Sequence, residues 1–423
     1  MDFVEYFPFE VALQVFSKLT IPEIFTCSKV SKRWKEFLDH NSSWKVKCKK
    51  LGIGIGGDQD WKTAFDKVGQ NWKDVKCTEK KMEWNNVKSL QFKDEFLLIR
   101  MKHELEIRHL DNLDEVYQVI DMEWLEYDFH PFNQNKWLAI LESEDTGHLR
   151  LRVYPLTKTE KRLPYLFTKQ LAPIYYMHAE NVFFWDDTLV KSANVDGNQE
   201  IHLVNLCNGK LERSFPIGFQ RPSIRYDGKY LLYYARKQPI DVFVMETGFF
   251  WSIPVENEEF KPRATILSPL KQLLASYSGI LFDFYNIETG EKLKRLETNI
   301  PNTTDLNYRI FYRQKLLCIF RENQLKVMKF DKNWQDYGYY GQELASHGQI
   351  IGLAYRGEAL AWVQPSWEVG HLGLLNLETN EFRELGQFEV GFIPEYYLRG
   401  SALFVFSVAS KEADVRQFSF QPE

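Results

Sequence analysis

The chain has few cysteines, and they are not arranged as a metal site or a disulfide framework would need. The five cysteines among 423 residues are odd in number, lie far apart and include no C-x-x-C pair. This usage is typical of a protein kept in a reducing compartment. We therefore expect a cytoplasmic and/or nuclear protein. The cysteines are Cys27, Cys48, Cys77, Cys207 and Cys318.

An excess of positive charge and a long hydrophobic run are also missing. The 53 Lys and Arg residues are outnumbered by 58 Asp and Glu residues, which gives a net charge of −5. A protein of this balance lacks the electrostatic footprint of a nucleic-acid partner or an anionic membrane. No apolar run approaches the length of a membrane span, and no basic region followed by an apolar stretch opens the chain. We expect neither nucleic acid nor membrane as a partner.

Catalytic and cofactor motifs are absent as well. The nine histidines form no H-E-x-x-H pair or Cys/His cluster, and no G-x-S-x-G segment occurs. Gly52, Gly54 and Gly57 satisfy G-x-G-x-x-G, but they follow a basic helical stretch rather than a strand, so we interpret them as a flexible loop. We expect no cofactor, no metal and no catalytic residue. A solvated helix face is the interpretation for Lys45, Lys47, Lys49 and Lys50.

Short amphipathic helices are what the first fifty residues do contain. Pro8 and Pro22 can each open a helix, because proline lacks the N–H that a first turn leaves unpaired. Ser31 is a predicted N-cap for a third helix, and Ser42 or Ser43 for a fourth. So few residues rarely close an independent core, so an apolar patch should remain available for a partner. The stripe of the first helix consists of Phe9, Ala12, Leu13, Phe16 and Leu19.

This segment resembles the F-box family. FPFEVALQVFSKL resembles the Leu-Pro-x-Glu start of an F-box, and VSKRWKEFLDHNSSW resembles its Val-Cys-Lys-x-Trp…Leu-Trp end, in order and spacing. Phe7, Ser31 and Ser43 replace the usual Leu, Cys and Leu, and none of them removes the apolar face. The stripe alone would also suit ordinary core helices, but the two motifs in register favour a docking function.

The resemblance implies that these helices bind the small adaptor of a cullin-based ubiquitin ligase and, through it, the cullin and the ring-finger subunit. Each anchor fully buried there could contribute ~1.5–3 kcal/mol, and a few anchors would dominate the interface. Carried over position by position, the residues predicted to face the adaptor or hold that surface are Pro8, Leu13, Phe16, Leu19, Pro22, Val30 and Trp34.

A spaced repeat organises the rest of the chain. Strand-like segments end in an apolar anchor followed by a polar turn, at intervals of 46, 50, 39, 42, 43 and 47 residues. Turns such as Asn-Gly and Thr-Gly tolerate the positive φ of tight hairpins. Phe420 lies 43 residues beyond the last of these anchors and fits as an eighth. The first seven anchors are Leu110, Leu156, Leu206, Met245, Ile287, Phe330 and Leu377.

A period of about 40–45 residues with four short strands is typical of a β-propeller blade. We therefore predict an all-β propeller of eight blades, or of seven if one terminal unit is irregular. FYNIETGEKL resembles the end of a WD repeat, with Tyr285 and Asn286 in the signature positions. The eighth unit stops after its third strand, so residues 74–82 are predicted to supply the missing outer strand and close the ring.

A linker separates the two parts. Asp60 is a predicted N-cap for a helix that carries Trp61, Ala64, Phe65 and Val68, and Asn71-Trp72-Lys73 resembles the segment that leads into the propeller of F-box proteins with WD repeats. Its apolar side should pack on the F-box helices as a stiff spacer. The predicted division is F-box over 1–48, linker helices and closing strand over 49–83, and propeller over 84–423.

Substrate recognition would fall to one face of the propeller. Arginines near successive strand ends could form a basic patch for a phosphorylated degron, although arginine is common on surfaces and ordinary surface roles are favoured over this patch. We expect the substrate receptor of an adaptor–cullin ligase without catalytic residues, or alternatively an adaptor-bound propeller scaffold outside a cullin ligase; a propeller enzyme is the third option. The arginines are Arg225, Arg236, Arg263, Arg309, Arg313 and Arg356.

Overall fold

The fold was obtained as a computed structural model of the whole chain. The part of the chain that the structure describes comprises residues 3–19, 21–50, 53–54, 60–74, 77–122, 125–143, 149–159, 164–171, 182–195, 198–218, 222–235, 237–254, 263–267, 272–276, 281–297, 307–311, 316–321, 324–330, 337–343, 349–353, 359–364, 369–376, 382–389, 395–399, 401–409 and 412–421.

Six helices precede the first strand in the described residues. They are α1 (Phe3–Tyr6), α2 (Phe9–Lys18), α3 (Ile21–Cys27), α4 (Lys32–Asp39), α5 (Asn41–Lys50) and α6 (Trp61–Asp74). None of these helices is long and apolar enough to span a membrane.

Side chains cap two of these helices as predicted. Ser31 Oγ accepts the Trp34 N–H of α4 at 3.2 Å. Asp60 Oδ1 accepts the N–H groups of Lys62 and Thr63, both at 3.0 Å, at the start of α6. Because these hydrogen bonds, above all those from Thr63, favour the carboxylate, they hold the pKa of Asp60 below its usual value.

The predicted serine cap of α5 is wrong. The helix begins at Asn41, so Ser42 and Ser43 lie inside its first turn. Ser43 Oγ donates to the carbonyl of Phe37 at 3.1 Å, and the Ser42 N–H donates to His40 Nδ1 at 3.3 Å. His40 therefore occupies the place that was expected for a serine.

The chain divides into two compact units, Gln91–Leu306 and the combination of Met1–Leu90 with Asn307–Glu423. Five antiparallel sheets of four strands belong to the first of these, apart from the first two residues of β2, in the described part of the chain. Sheet 1 contains β2 (Ser89–Lys93), β3 (Phe96–Arg100), β4 (Glu104–His109) and β5 (Asn112–Asp121). Sheet 2 contains β6 (Leu125–Phe132), β7 (Trp137–Ser143), β8 (Leu149–Pro155) and β9 (Phe167–Leu171). Sheet 3 contains β10 (Val182–Trp185), β11 (Thr188–Val195), β12 (Asn198–Asn205) and β13 (Leu211–Ile217). Sheet 4 contains β14 (Ser223–Tyr226), β15 (Tyr230–Tyr234), β16 (Ile240–Val244) and β17 (Phe250–Ile253). Sheet 5 contains β18 (Arg263–Leu267), β19 (Gln272–Ser276), β20 (Leu281–Asn286) and β21 (Lys292–Glu297).

The other unit holds the helices and three further sheets among its described residues. Sheet 6 contains β22 (Asn307–Phe311), β23 (Leu316–Arg321), β24 (Gln324–Phe330) and β25 (Tyr337–Glu343). Sheet 7 contains β26 (Gln349–Leu353), β27 (Ala359–Gln364), β28 (Val369–Asn376) and β29 (Phe382–Glu389). Sheet 8 contains β30 (Glu395–Arg399), β31 (Ala402–Ala409), β32 (Glu412–Ser419) and, as its outer strand, β1 (Thr78–Asn85).

The outer strand of sheet 8 comes from the segment before the first sheet. Thr78 of β1 pairs with Ser419 of β32, and the antiparallel register continues to Asn85 opposite Glu412. This strand begins later than the predicted residue 74, because α6 continues to Asp74. The two ends of the β-structure thus share one sheet.

Five apolar anchors of the repeat hold the first turn of their own sheet. Each of the five follows a third strand, and its N–H donates to a carbonyl between the first two strands of the same sheet. Leu110 donates to Glu95, and Leu206 donates to Asp187. This shared bond accounts for a repeat whose spacing is regular while its sequence drifts. The equivalent bonds join Leu156 to Lys136, Met245 to Lys229 and Phe420 to Ser401, and all five N···O distances are 2.8–2.9 Å. Phe330 is described by its backbone and Leu377 lies outside the described residues.

Glycine supplies the positive φ of three third-to-fourth-strand turns, as predicted. Gly209, Gly248 and Gly290 have φ of +67°, +73° and +74°. At Gly290 a Cβ would also come within 2.9 Å of the Trp251 ring, so both backbone and neighbour exclude a side chain.

Neighbouring sheets in the Gln91–Leu306 unit pack face to face. The fourth strand of one sheet also donates a side-chain hydrogen bond to the end of the third strand in the next. Trp251 Nε1 donates to the Ile287 carbonyl at 3.0 Å, and Gln118 Nε2 donates to the Pro155 carbonyl at 2.9 Å. Equivalent bonds run from Arg213 to Met245 and from Lys169 to Gly209. The shared cores include Ile107 with Ile140, Leu151 with Leu189, Leu203 with Leu231, and Val242 with Leu273.

Candidate functional site

The N-terminal helices form a small aromatic core. Phe16 is 3% exposed, and its ring lies 5.4 Å from that of Trp34 in an edge-on contact and 5.0 Å from that of Phe37. The ring centroid of Phe9 also lies 5.0 Å from that of Phe37. These contacts hold α2 against α4, so residues on the opposite side of α2 are fixed in position at the surface.

Large apolar side chains remain exposed on α2, just before it, and on and after α3. Phe7, Val11 and Val15 recur every four residues and are 47%, 38% and 45% exposed. Val30, after α3, is 63% exposed, and Phe25 within α3 is 39% exposed. A group of large apolar side chains at such exposure is typical of a protein interface. We call these five residues the apolar row.

The seven residues predicted to face or support adaptor binding differ in exposure. Pro8 and Val30 are exposed, whereas Phe16 is buried and supports the surface from below. Pro8 immediately precedes α2, and its carbonyl accepts the Ala12 N–H at 3.1 Å. Leu13, Leu19 and Trp34 are partly buried in the helical core, and Pro22 lies in the first turn of α3.

Most of the apolar row was missed from the sequence. The predicted stripe follows the side of α2 on which Ala12 is 1% exposed and Phe16 is 3% exposed. Of the seven predicted adaptor residues, only Val30 belongs to the row. The four-residue spacing of Phe7, Val11 and Val15 was the available signal, because residues i and i+4 share a helix face. Helix α2 is therefore apolar on two sides, and only the side with Ala12 and Phe16 is buried in the helical core.

The linker helix α6 packs on the N-terminal helices as predicted. Ala64, Phe65 and Val68 are fully buried, and the Phe65 ring lies 4.7 Å from that of Trp44 in α5. The same core includes Leu403 of β31 and Phe418 of β32. Helices and sheet 8 therefore share one hydrophobic core.

The end of the last strand fastens α6 to sheet 8. The indole of Trp72 is stacked on Phe420, with ring centroids 3.5 Å apart. Asn71 Nδ2 donates to the carbonyls of Phe420 and Gln421, both at 3.2 Å. Gln421 Oε1 accepts the Gly54 N–H at 3.0 Å, and Arg383 Nη1 donates to the Asp74 carbonyl at 3.1 Å. We call the group Gly54, Asn71, Trp72, Phe420 and Gln421 the C-terminal clasp.

One of the lysines assigned to a solvated face is buried. Lys47 is 8% exposed, and its Nζ donates to the carbonyl of Leu19, so it satisfies the backbone after α2. Lys45 and Lys49 are exposed as predicted. Lys47 therefore helps α5 to pack on α2, because a buried ammonium group needs a hydrogen-bond acceptor such as the Leu19 carbonyl.

The cysteines whose side chains the structure describes, Cys27, Cys48, Cys77 and Cys207, are not activated as nucleophiles. Burial, and then the charge of Asp66, raises the pKa of Cys48 to about 12, and Cys48 Sγ donates to the Trp61 carbonyl at 3.2 Å. Burial, and then the charge of Glu23, raises the pKa of Cys27. A thiol with a raised pKa is protonated at neutral pH and reacts slowly.

The predicted arginines occupy first strands where they are described. Arg225, Arg263 and Arg309 lie in β14, β18 and β22. Arg225 is exposed, and its Nη1 donates to the Ile224 carbonyl at 3.0 Å. The other three, Arg236, Arg313 and Arg356, lie outside the described residues, as do Gly52 and Gly57 of the glycine-rich loop. Over the described residues, no three His, Cys, Asp or Glu side chains group as a metal site would need.

Comparison with known families and structures assigns both parts of the chain. The family model described as F-box-like matches residues 5–50. No curated protein matches this sequence. F-box and WD40 propeller families are generally non-catalytic.

Solved structures that resemble the chain include WD40 domains. The WD40 domain of SCAP from fission yeast has a TM-score of 0.54 at 8% identity, with 82% of this chain and 98% of that chain covered. The C-terminal WD40 domain of Sif2 has a TM-score of 0.54 at 9% identity, with 80% and 97% covered. Sqt1 from Saccharomyces cerevisiae has a TM-score of 0.50 at 10% identity, with 82% and 98% covered. At such identity the likeness concerns the fold alone: the chain has an F-box-like N-terminus followed by a β-propeller, as the sequence predicted.

Proposed function

We propose that this protein is the non-catalytic substrate-recognition subunit of an adaptor–cullin–F-box ubiquitin ligase. In this proposal the N-terminal helices bind the small adaptor, and the propeller binds a protein substrate whose ubiquitination it promotes. The observation that carries the proposal is the apolar row, exposed on helices whose sequence matches the F-box-like family.

The apolar row suits an adaptor because it is both exposed and fixed. Phe16 and Phe37 hold α2 in place from behind, so Val11 and Val15 need little reordering on binding. Pre-positioned apolar side chains lose less conformational entropy when a partner covers them. Complete burial of one such side chain contributes ~1.5–3 kcal/mol to binding. The contribution here is smaller, because part of each side chain is already buried in the free protein.

The C-terminal clasp supports the ligase function in a second way. A receptor must present a substrate lysine at a defined distance from a remote active site. Stacking of Trp72 on Phe420, with two hydrogen bonds from Asn71, fixes α6 on sheet 8. The domain division that goes with this proposal is 1–48, 49–83 and 84–423.

We place the substrate site on the propeller. A phosphorylated degron would be bound by several arginines that point to one place, and among the six predicted arginines Arg225 has an exposed side chain that the structure describes. The proposed partners are the adaptor, the cullin and ring-finger subunit behind it, and a protein substrate. The proposed location is the cytoplasm and/or the nucleus.

Affinity capture of the full chain followed by mass spectrometry tests this function. Recovery of adaptor, cullin and ring-finger subunit supports the receptor. Recovery of the adaptor without a cullin favours the alternative, an adaptor-bound scaffold outside a cullin ligase. Failure to recover the adaptor overturns the proposal.

A pair of matched variants tests the surface itself. Val15→Lys with Val30→Lys places charge in the apolar row while keeping a good helix former at position 15. We expect at least about tenfold weaker adaptor binding, equivalent to roughly 1.4 kcal/mol. Val116→Lys is the control, since Val116 is an exposed valine of sheet 1, at 36%. Equal adaptor binding by both variants would show that the apolar row is not part of the adaptor interface.

A further inference from the structure

A second set of exposed apolar side chains lies on the fourth strands of sheets 1 to 5. From β1 onward, eight large apolar side chains are exposed among those the structure describes, and seven lie in or just before a fourth strand. The eighth, Trp185, ends the first strand of sheet 3. The side chains are Val116, Tyr165, Leu166, Trp185, Leu211, Phe249, Phe250 and Leu293.

Five of these side chains share the turns of sheets 3, 4 and 5, where inter-sheet bonds keep the turns in place. Arg213 Nη1 donates to the Met245 carbonyl at 3.2 Å, and the Trp251 indole donates to the Ile287 carbonyl. Trp185 reaches the turn of sheet 4, since a Cβ at Gly228 would lie 3.3 Å from its Nε1. The turns thus form one continuous surface. This turn surface comprises Trp185, Leu211, Phe249, Phe250 and Leu293, which are 43–50% exposed.

Carboxylates from different sheets converge beside this turn surface. The Tyr230 hydroxyl donates to Glu288 Oε1 of the next sheet at 3.3 Å, with Asp227 and Glu246 close by. Burial, and then these carboxylates, raises the pKa of Tyr230 to about 12. Burial and Glu212 likewise raise the pKa of Tyr226. The neighbourhood of the aromatic side chains is therefore negative.

Cations at these turns are fewer and partly engaged. Segments 185–188, 205–212, 226–230, 245–250 and 287–293 carry seven carboxylates and three lysines. One of these lysines, Lys292, lies 2.7 Å from the buried carboxylate of Asp283. The bordering Arg213 and Arg225 each donate to a backbone carbonyl. These segments therefore carry three positive and seven negative side chains, a net charge of −4.

We propose that the turn surface binds a protein segment that alternates Lys or Arg with apolar residues. The apolar side chains of the segment lie against Phe249, Phe250 and Leu293, and its cations pair with Glu246 and Glu288. Trp185 offers a ring face to an arginine, whose stem also packs on apolar surface. Carboxylates disfavour phosphate, so a nucleic acid or a phosphorylated peptide does not suit this surface. This proposal goes beyond the proposed function, because it uses none of the residues of the apolar row.

Fluorescence anisotropy with the full chain tests it. The probe is a labelled peptide of alternating arginine, leucine and serine, and the comparison probe has glutamate in place of arginine. We expect the arginine peptide to bind, and binding to weaken as salt is raised. Glu246→Gln with Glu288→Gln keeps a hydrogen-bond acceptor for Tyr230 and should weaken binding about tenfold. Phe249→Ser with Phe250→Ser should weaken it by at least as much.

Two controls make the result specific. Glu79→Gln with Glu83→Gln removes the same charge from exposed positions of β1 and should leave the affinity unchanged. Val15→Lys with Val30→Lys should also leave it unchanged, which separates this proposal from adaptor binding. Melting temperatures of all variants show whether each is folded.

Three outcomes overturn the proposal. The first is equal loss of affinity in the Glu79/Glu83 control, which would mean non-specific attraction. The second is tighter binding of the glutamate peptide. The third is self-association of the chain that the Phe249/Phe250 variant abolishes, measured by light scattering, which would assign the surface to a second copy of this protein.

Discussion

Trp72, in the last turn of α6, stacks on Phe420, the residue that follows the last strand, with ring centroids 3.5 Å apart. Both side chains are nearly inaccessible to solvent, at 2% and 0%. The contact joins the F-box-like helices to the sheet that contains both ends of the β-structure. The stability of helices and sheet 8 should therefore change together.

Phe420→Ala should destabilise the protein by about 3–5 kcal/mol, because a buried aromatic ring leaves both lost apolar burial and a cavity. The measurement is the midpoint of urea unfolding followed by tryptophan fluorescence. Phe250→Ala is the matched control, since Phe250 is 49% exposed and a surface substitution changes stability by roughly 0.5 kcal/mol or less. A loss of similar size in both variants would contradict the role of the clasp.

Ser31→Ala should lower stability by about 1 kcal/mol, because the Trp34 N–H loses the side-chain oxygen that caps α4. Ser31→Asp should retain most of it. Thermal unfolding by circular dichroism measures the change. Ser42→Ala is the comparison: Ser42 lies within the first turn of α5, where alanine has the higher helix propensity, so no loss is expected.

Local chemistry explains which helix boundaries were predictable. Ser31 and Asp60 could be recognised as N-caps because each directly precedes an amphipathic run. The side-chain oxygen of each accepts the backbone N–H three residues later. Ser42 and Ser43 are of the same residue type, but α5 starts at Asn41, which is two residues earlier than a Ser42 cap would place it, and His40 takes the cap position. Lys47 became buried for a reason no local pattern contains, since its partner is the carbonyl of Leu19.

Lys191→Met should raise stability at pH 7 by on the order of 1–3 kcal/mol. Lys191 is 2% exposed, and burial, followed by the charge of Lys169, lowers its pKa from 10.5 to about 8. Because the folded state binds its proton less tightly, the penalty is full below about pH 8 and disappears as pH rises towards 10.5. The difference in free energy of unfolding between the variant and the natural protein should therefore shrink as the pH rises from about 8 to 10.5.

Urea unfolding of both proteins at several pH values measures that difference. Lys229→Met is the control, since Lys229 is exposed in a turn of sheet 4. A constant difference between the natural protein and the Lys191 variant from pH 7 to pH 10.5 would show that the lysine is not destabilised by burial.

Arg295→Leu should destabilise the protein by ~1–3 kcal/mol, because Asp283 is fully buried and loses two of its hydrogen bonds. Burial raises the pKa of Asp283, but Arg295 and Lys292 outweigh it, so the pKa lies below the usual value. A lowered pKa contributes stability above the unfolded-state pKa, and that contribution is lost as the solution becomes acidic.

Acid unfolding measured for both proteins tests this pair. The Arg295 variant should lose less stability between neutral and acid pH than the natural protein. Asp283→Leu with Arg295→Leu should be less destabilised than Arg295→Leu alone, since no buried carboxylate remains to be satisfied. The opposite order would mean that packing of the arginine, rather than its charge, stabilises sheet 5.

The site was harder to predict than the fold, and the reason is geometric. The blade period survives because anchors such as Leu206 hydrogen-bond to the first turn of their own sheet. The exposed face of α2 depends instead on which side meets Phe37, and both sides of that helix are apolar in the sequence. The turn surface draws on three sheets, so its residues, Trp185 and Leu293 among them, share no sequence motif.

The pairing of β1 with β32 has a consequence for synthesis in the cell. Thr78 emerges from the ribosome long before Ser419, its partner in the sheet. Domains otherwise begin to fold during synthesis, at about 5–20 residues per second, so β1 waits some tens of seconds for its neighbour. During that interval its edge is open to wrong partners, and translation rate and chaperone supply should govern the yield of this protein.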